Sequence, residues 1–398
     1  MPEQNIKLFL EINNKSLIFL VILEKNKIAS IIQKEIIELK CVENGKLIIT
    51  DETKKRLKKT LNEIEKKNSR IFNEVIVVLN YYNSYNIRIS GSKNMLGSKI
   101  NNDDITFLIN KLKTEVLKNE KNKDIIHIFN TNFILDFKEV EIIPINSTAE
   151  FYGHSLSFFL IDNDEKKRIN TLCNSCNLNL ERVILKNFVR GINSINTFPE
   201  KKKLIDIKLD YENVQISFFE NDAFKYSESF NFGSNIIYKD VSKVCKLSLI
   251  NSQNLIKDTN FDNLNLKKKR SNITEKYFDH NNLKNRQISL QHVEDIINAR
   301  ISEICDILIK KNINLSFANN NVFIKLSFED EHIYKNFSKN FKFYLDEKIG
   351  TFLETQDEQE ENYVKAMDLV INGWKSEALP IRVEKRSLLS RFFRMIFK

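Results

Sequence analysis

Short apolar runs broken by polar turns fill residues 5–39, NIKLFLEINNKSLIFLVILEKNKIASIIQKEIIEL, and predict three β-strands. The polar stretches NNKS and EKNK supply the two turns. Residues 50–70 then place leucine and isoleucine at helical spacing, with Thr50 or Asp51 as the N-cap. The predicted order is therefore strand, strand, strand, helix.

The same order recurs in the second half of the chain. Residues 202–232 predict three strands with turns at DYEN and ENDA, and residues 234–248 predict a helix. Two units of this kind favour a duplicated α/β fold with a cleft between the halves. Actin and hexokinase are built in this way, so the pattern predicts an actin-like fold.

Between the two units, residues 85–165 predict a compact α+β insert, with a capped helix at NNDDITFLINKL among several strands. Residues 289–311 predict a strongly amphipathic helix, and residues 312–318 a strand. An acidic stretch, a helix at residues 363–374 and a short linker with Pro380 follow.

The last twelve residues, SLLSRFFRMIFK, form an amphipathic helix when they are placed at helical spacing. The polar arc holds only serine and the cations Arg391, Arg394 and Lys398, which favour an anionic membrane surface over packing on protein. A single helix of this kind binds reversibly, so several copies in a polymer would bind better. The apolar arc consists of Leu388, Leu389, Phe392, Phe393, Met395, Ile396 and Phe397.

Composition narrows the class of protein. Of the 398 residues, 42% are hydrophobic, which is enough for sizeable cores. The net charge is +9, but basic and acidic residues are mixed along most of the chain, so no nucleic-acid partner is expected. We expect no signal peptide and no membrane span, which leaves a cytosolic or peripheral protein. The five cysteines indicate a reducing compartment. Cys173 and Cys176 form a CxxC without a second ligand pair, which favours a structural role over a metal or redox role.

In order and local pattern, over nearly its full length, the chain resembles the FtsA family of actin-like bacterial cell-division proteins. Its last twelve residues correspond to the membrane-targeting helix of that family. The other segments that carry the resemblance are residues 90–112 and 125–141 (subdomain 1C), 176–195 (the end of domain 1A), 203–243 (the second phosphate segment) and 297–309 (the long helix of subdomain 2B).

The resemblance implies a division of the chain into seven parts. The first half is domain 1A, interrupted by the insert, and the second half is domain 2A, interrupted by subdomain 2B. The expected boundaries are 1–84 and 166–197 for domain 1A, 85–165 for the insert, 198–235 and 311–375 for domain 2A, 236–310 for subdomain 2B, and 376–398 for the linker and tail.

The nucleotide-binding motifs of the family are degenerate in this chain. Its phosphate and adenosine loops are rich in glycine, whereas the whole chain has only eight glycines. Bulky side chains at these positions would fill the space of the phosphates, and Asp210 would add a negative charge there. We therefore expect weak or no ATP binding, no catalytic residues and no bound metal. The aligned positions are Glu11, Asn13, Asn14 and Lys15; Asp206, Lys208, Asp210 and Tyr211; and Asn319 and Asn320.

The resemblance also implies the partners. They are the C-terminal tail of FtsZ, further copies of the chain in filaments, later division proteins bound through the insert, and anionic lipids on the cytoplasmic face of the inner membrane at the division site. On the 2B-like helix, Asn298, Arg300 and Glu303 are the expected contacts for FtsZ, although an ion pair within the helix explains Arg300 equally well.

Two other hypotheses remain open from the sequence. One is an ATPase of the actin superfamily whose motifs have drifted but still work. The other is an unrelated α/β binding protein with a helical tail, which predicts no insert of the 1C type between the two units.

Overall fold

The computed structural model describes residues 5–26, 28–278, 287–315, 322–345, 350–354 and 359–378. These residues form two compact units. The first unit holds the residues up to Asn193, the short stretch Ala223–Lys225 and the residues from Glu360 onward. The second unit holds Ser194–Asp222 and Tyr226–Gln359.

Strands and helices alternate along most of the chain. The strands are β1 (Asn5–Ile12), β2 (Ser16–Lys25), β3 (Ile28–Glu38), β4 (Val42–Glu43), β5 (Lys46–Leu47), β6 (Glu74–Leu79), β7 (Tyr85–Asn94), β8 (Lys123–Leu135), β9 (Lys138–Val140), β10 (Phe151–Asp162), β11 (Asn179–Leu185), β12 (Lys203–Leu209), β13 (Val214–Glu220), β14 (Ala223–Phe230), β15 (Phe323–Phe328) and β16 (Gly350–Glu354). The α-helices are α1 (Asp51–Asn68), α2 (Asn102–Asn119), α3 (Asn163–Asn174), α4 (Lys186–Thr197), α5 (Asn235–Cys245), α6 (Leu249–Asp258), α7 (Leu266–Lys269), α8 (Leu290–Cys305), α9 (Glu331–Leu345) and α10 (Gln359–Asn372).

The first unit is built on a five-stranded sheet with the order β3-β2-β1-β6-β11. The strands β1, β2 and β3 form an antiparallel meander, whereas β6 and β11 run parallel to β1. The predicted helix follows as α1, and its N-cap is Thr50, whose hydroxyl accepts a hydrogen bond from the backbone N–H of Thr53 at 3.1 Å. The predicted strand-strand-strand-helix order is confirmed, with the small β4–β5 hairpin added before α1.

The second unit repeats this topology with the order β14-β13-β12-β15-β16. Again the first three strands form an antiparallel meander, and β15 and β16 run parallel to β12. Helix α5 follows the meander, as the sequence predicts. The identical strand order in both units confirms the duplicated fold.

The insert between the two meanders is a four-stranded sheet with the order β7-β10-β8-β9, covered by α2. Helix α2 begins with a capping box, in which Asn101 and Asp104 each accept a hydrogen bond from the other's backbone N–H. Its buried side chains include Leu108 and Leu112, which pack on Tyr152 and Leu156 of β10 in one core. An α+β insert is therefore present between the two units, whereas the hypothesis of an unrelated binding protein predicts no insert of the 1C type there.

Two predictions in the second unit need correction. Helix α8 forms as predicted and continues as a π-helix at Asp306–Lys310. However, the predicted strand at residues 312–318 is wrong in its described part, because Ile313–Leu315 is a turn of 3-10 helix. The strand forms later, as β15.

The C-terminal part of the chain also differs from the expected division. The sequence analysis places residues 311–375 in domain 2A, whereas α10 belongs to the first unit. The reason is a set of contacts with that unit: the hydroxyl of Tyr363 donates to Glu11, and the carbonyl of Leu369 accepts a hydrogen bond from Arg182 at 3.1 Å. The predicted amphipathic tail, residues 387–398, lies outside the described residues.

Candidate functional site

The carboxyl ends of the three parallel strands in the first unit bring together a buried charged cluster. Glu11 lies near the end of β1, and Lys186 directly follows the end of β11. Since the ends of parallel strands meet at one edge of a sheet, the two side chains approach each other although they lie far apart in the sequence. Tyr363 of α10 completes the cluster.

The three members of this cluster are almost fully buried, with exposed fractions of 2% for Glu11, 1% for Lys186 and 1% for Tyr363. The Lys186 Nζ donates to Glu11 Oε2 at 2.9 Å and lies 4.0 Å from the centre of the Tyr363 ring. The Tyr363 hydroxyl donates to the same carboxylate oxygen. The carboxylate at the expected nucleotide position is therefore neutralised by a side chain of the same unit.

The turn that joins β1 and β2 is closed by its own polar groups. The Asn13 N–H donates to the Ser16 carbonyl at 2.9 Å, and the amide of Asn80 donates to Asn13 Oδ1 at 2.6 Å. The backbone carbonyl of Lys15 accepts a hydrogen bond from the Leu39 N–H at 3.0 Å, and Asn14 completes the turn.

The turn that joins β12 and β13 in the second unit is tied down in a comparable way. The Tyr211 N–H donates to the carboxylate of Glu329 at 2.7 Å. The Lys208 Nζ lies 3.3 Å from Asp210 Oδ1. Asp206 is fully buried and accepts a hydrogen bond from the Ser194 hydroxyl at 3.3 Å. The Glu329 carboxylate therefore occupies a backbone donor at the turn that the resemblance aligns with the second phosphate loop.

A glycine allows a close backbone approach at this second turn. A Cβ on Gly233 would lie 2.3 Å from the backbone carbonyl oxygen of Asp210. The next residue, Ser234, donates its N–H to that same oxygen at 2.9 Å. Gly233 is thus one of the few glycines that the chain keeps, and close packing explains its presence.

The helical layer of the second unit carries a groove between α5, the start of α6 and α8. Its cavity volume is about 360 Å³, and its lining combines the cations Lys239 and Lys243 with apolar Ile236 and Leu249. Arg300 also lines the groove, where it pairs with Asp240 of α5 and donates to Glu303 at 2.5 Å. A partner with carboxylates beside apolar side chains matches this lining.

The three predicted FtsZ contacts differ in the hydrogen bonds and ion pairs that they make in the structure. Arg300 and Glu303 form an ion pair on the surface of α8, and Arg300 lines the groove. Asn298 is engaged elsewhere, because its Oδ1 accepts a hydrogen bond from the Asn340 amide of α9 at 2.6 Å. The groove therefore retains Arg300 as a candidate contact, together with Lys239 and Lys243, which the sequence analysis did not single out.

The two residues of the CxxC lie in the core. Cys173 lies fully buried in the last turn of α3, and burial raises the pKa of its thiol to about 12. Burial also raises the pKa of Cys176 above its ordinary value. A thiol in such a setting is a poor nucleophile. Among the described residues, no cluster of three or more His, Cys, Asp or Glu side chains is placed to hold a metal ion.

Some of the predicted positions cannot be compared with the structure. Asn319 and Asn320, the expected adenosine-loop residues, and all the expected membrane contacts lie outside the described residues. Within the part of the chain that is described, no helix is both long and apolar enough to cross a membrane.

The sequence analysis missed Lys186, the residue that neutralises Glu11. A signal was present, because Lys186 stands alone as a cation in the apolar stretch VILKNFV. A lysine in such a run is seldom buried without a partner, so its position indicates a buried carboxylate nearby.

Comparisons with known proteins give the fold and not a family. No protein-family model and no curated protein matches the chain. Among solved structures, a PilM–PilN type IV pilus biogenesis complex is similar with a TM-score of 0.57 and 9% identity over 92% of this chain and 98% of that one. MreB5 of Spiroplasma citri bound to ADP has a TM-score of 0.45 at 10% identity, over 91% of this chain and 96% of that one. The ethanolamine utilization protein EutJ from Carboxydothermus hydrogenoformans has a TM-score of 0.42 at 7% identity, over 88% and 85%.

The similarity to the PilM–PilN complex covers nearly the whole length of both chains. At such low identity it is a similarity of fold alone. It agrees with the repeated five-stranded topology of the two units and with the α+β insert between their meanders. The protein therefore has an actin-like fold.

Proposed function

We propose that the protein is a peripheral membrane scaffold of the FtsA type, rather than an enzyme. In this role the groove on the second unit binds the C-terminal tail of FtsZ, and the basic amphipathic tail holds the assembly at the cytoplasmic face of the inner membrane, at the division site. Self-association strengthens the attachment by avidity, and the insert contacts later division proteins.

The observation that carries most weight is the state of Glu11. Its carboxylate is buried and already paired with Lys186 and Tyr363, so it has no need of a cation from solution. In the second unit, the carboxylate of Glu329 accepts the hydrogen bond of the Tyr211 N–H. These residues do not fit Mg-ATP, which supports a scaffold that binds nucleotide weakly or not at all.

The decisive experiment is co-sedimentation with anionic vesicles, with and without FtsZ from the same organism. The full chain is compared with a version cut after Glu384, which lacks the predicted helix. We expect the full chain to pellet with the vesicles, to carry FtsZ down, and to lose both abilities on truncation. If truncation leaves pelleting unchanged, the tail is not the anchor; if FtsZ stays in solution, the division role fails.

The groove has a test of its own, by anisotropy of a labelled FtsZ tail peptide. Changing Lys239 and Lys243 together to Glu leaves the Arg300–Asp240 pair intact and reverses the charge of the lining. We expect peptide binding to weaken on the order of tenfold or more, since charge pairs at an interface set specificity. The matched control changes Lys257 and Lys342, exposed lysines outside the groove lining, to Glu. Equal effects in both variants would remove the groove from the proposal.

Isothermal titration with Mg-ATP distinguishes the scaffold from the alternative, a nucleotide-dependent ATPase with drifted motifs. We expect no binding in the micromolar range, because the expected carboxylate and backbone donor are occupied by side chains. Binding in that range would favour the ATPase.

A further inference from the structure

Residues 374–378 form a turn that joins the edge of the insert sheet through a single β-bridge. Strand β8 pairs with β10 along one edge, and its other edge pairs with the short β9. On that other edge, outside the part paired with β9, Phe129 forms an antiparallel bridge with Glu377. The Asn130 N–H donates to the Ser376 carbonyl at 2.8 Å, and the Ala378 N–H donates to the Ile128 carbonyl at 2.8 Å. We call this segment the clasp.

The central side chain of the clasp enters a closed pocket. The Glu377 side chain is 1% exposed, and its Oε1 accepts a hydrogen bond from Arg182 Nη2 at 2.5 Å. His127 Nδ1 lies 3.2 Å from the same oxygen and is fully buried. Arg182 comes from β11 and His127 from β8, so the pocket joins the five-stranded sheet to the insert sheet.

The protonation state of the pocket follows from its hydrogen bonds. The Leu185 N–H donates to His127 Nε2 at 3.3 Å, so the proton of a neutral His127 lies on Nδ1 and is donated to Glu377. Burial lowers the pKa of His127, which keeps it neutral. Burial alone would raise the pKa of Glu377, but the hydrogen bond with His127 and the charge of Arg182 hold it below its ordinary value.

The pocket therefore holds one carboxylate against one guanidinium. A segment without a carboxylate would leave the Arg182 charge buried and unpaired, which is strongly unfavourable. Main-chain hydrogen bonds to a sheet edge give affinity for any extended segment, and side-chain pockets give the selectivity.

We propose that the edge of β8, with Arg182 and His127, is a separable binding site for a short segment that carries one glutamate, and that its occupant is the chain's own clasp. Gly373, with φ at +73° and open space around it, is the hinge between α10 and the clasp. The site goes beyond the proposed function and does not depend on membrane or FtsZ binding.

The test uses the full chain and its single tryptophan, Trp374, which lies in the clasp. Glu377→Gln removes the charge, and Ala378→Pro removes a main-chain donor while leaving the pocket intact. Glu115→Gln on α2 is the matched control for loss of an exposed carboxylate. We expect both clasp variants, and not the control, to increase acrylamide quenching of Trp374 and to speed amide exchange of Asn130. Unchanged quenching and exchange in both clasp variants would overturn the proposal.

Binding in trans tests the site itself. A fluorescein-labelled peptide of residues 372–378 should bind the Ala378→Pro chain on the order of tenfold tighter than the unchanged chain, whose own clasp competes at high effective concentration. The same peptide with glutamine in place of its glutamate should not bind. Equal binding of the two peptides would overturn the carboxylate selectivity. If neither clasp variant folds, excess unlabelled peptide carrying Trp374→Phe must raise the quenching of Trp374 in the unchanged chain, and no rise would overturn the proposal.

Discussion

Replacing Lys186 with methionine removes the ammonium group that neutralises Glu11 while keeping most of the side-chain volume. With an effective dielectric constant of about 20, charges 2.9 Å apart attract each other by about 6 kcal/mol, part of which offsets their desolvation. Breaking a buried pair on one side leaves an uncompensated charge, for which a loss of about 3–5 kcal/mol in the free energy of unfolding is typical.

The assay is urea unfolding followed by the emission of Trp374, which lies in the same unit as the pair. The exposed pair Lys54–Asp51 provides the control, since Lys54→Met should cost less than about 1 kcal/mol. In the double variant with Glu11→Gln, no buried charge remains unpaired. We therefore expect its loss to be smaller than the sum of the two single losses by roughly 2 kcal/mol or more.

Two results would refute this reasoning. If Lys186→Met costs no more than the Lys54 control, the Glu11 carboxylate finds another partner or is not charged in the fold. If the losses of Glu11→Gln and Lys186→Met simply add, the two side chains do not depend on each other.

Three further predictions concern single positions. Gly233→Ala should destabilise the second unit by about 2 kcal/mol or more in thermal unfolding, because its Cβ would lie 2.3 Å from the Asp210 carbonyl oxygen. Leu96→Asn should stabilise the protein by about 1 kcal/mol in urea unfolding, because the exposed Leu96 has φ of 52° and asparagine tolerates that region better. Burial lowers the pKa of His154 to about 4, so its neutral form is favoured in the fold. Stability from this group is complete above pH 6.5 and is lost as the pH falls towards 4. His154 should contribute about 2 kcal/mol to the loss of stability between pH 7.5 and pH 5, and His154→Gln should remove that part.

The meanders, their helices and the insert could be predicted because each depends on local pattern. The alternation of apolar runs and turns sets β1 to β3, and the capping residues set the starts of α1 and α2. Helix α9 and strand β16 were not predicted. Helix α9 is rich in aromatic residues that favour strands locally, so its helical form depends on burying Phe337 and Phe341 in the core of the second unit.

The charged clusters could not be predicted, because their members lie far apart in the sequence. Glu11 and Tyr363 are separated by 352 positions, and only the closing of the first unit by α10 brings them together. From the sequence, Glu11 was interpreted by its place in a phosphate loop, and no local pattern names Lys186 as its partner. The pairing of Arg182 with Glu377 is likewise not predictable from local pattern, since 195 positions separate them.

The clasp also determines how a mechanical load would enter the molecule. A pull on the chain beyond residue 378 reaches β8 before it reaches α10. If the force is directed along β8, it loads the two main-chain hydrogen bonds and the Glu377–Arg182 ion pair together, in shear. The same contacts would open one after another under a force directed away from the sheet. The force that the clasp contacts withstand therefore depends on the direction of tension, and α10 bears the load only after these contacts have broken.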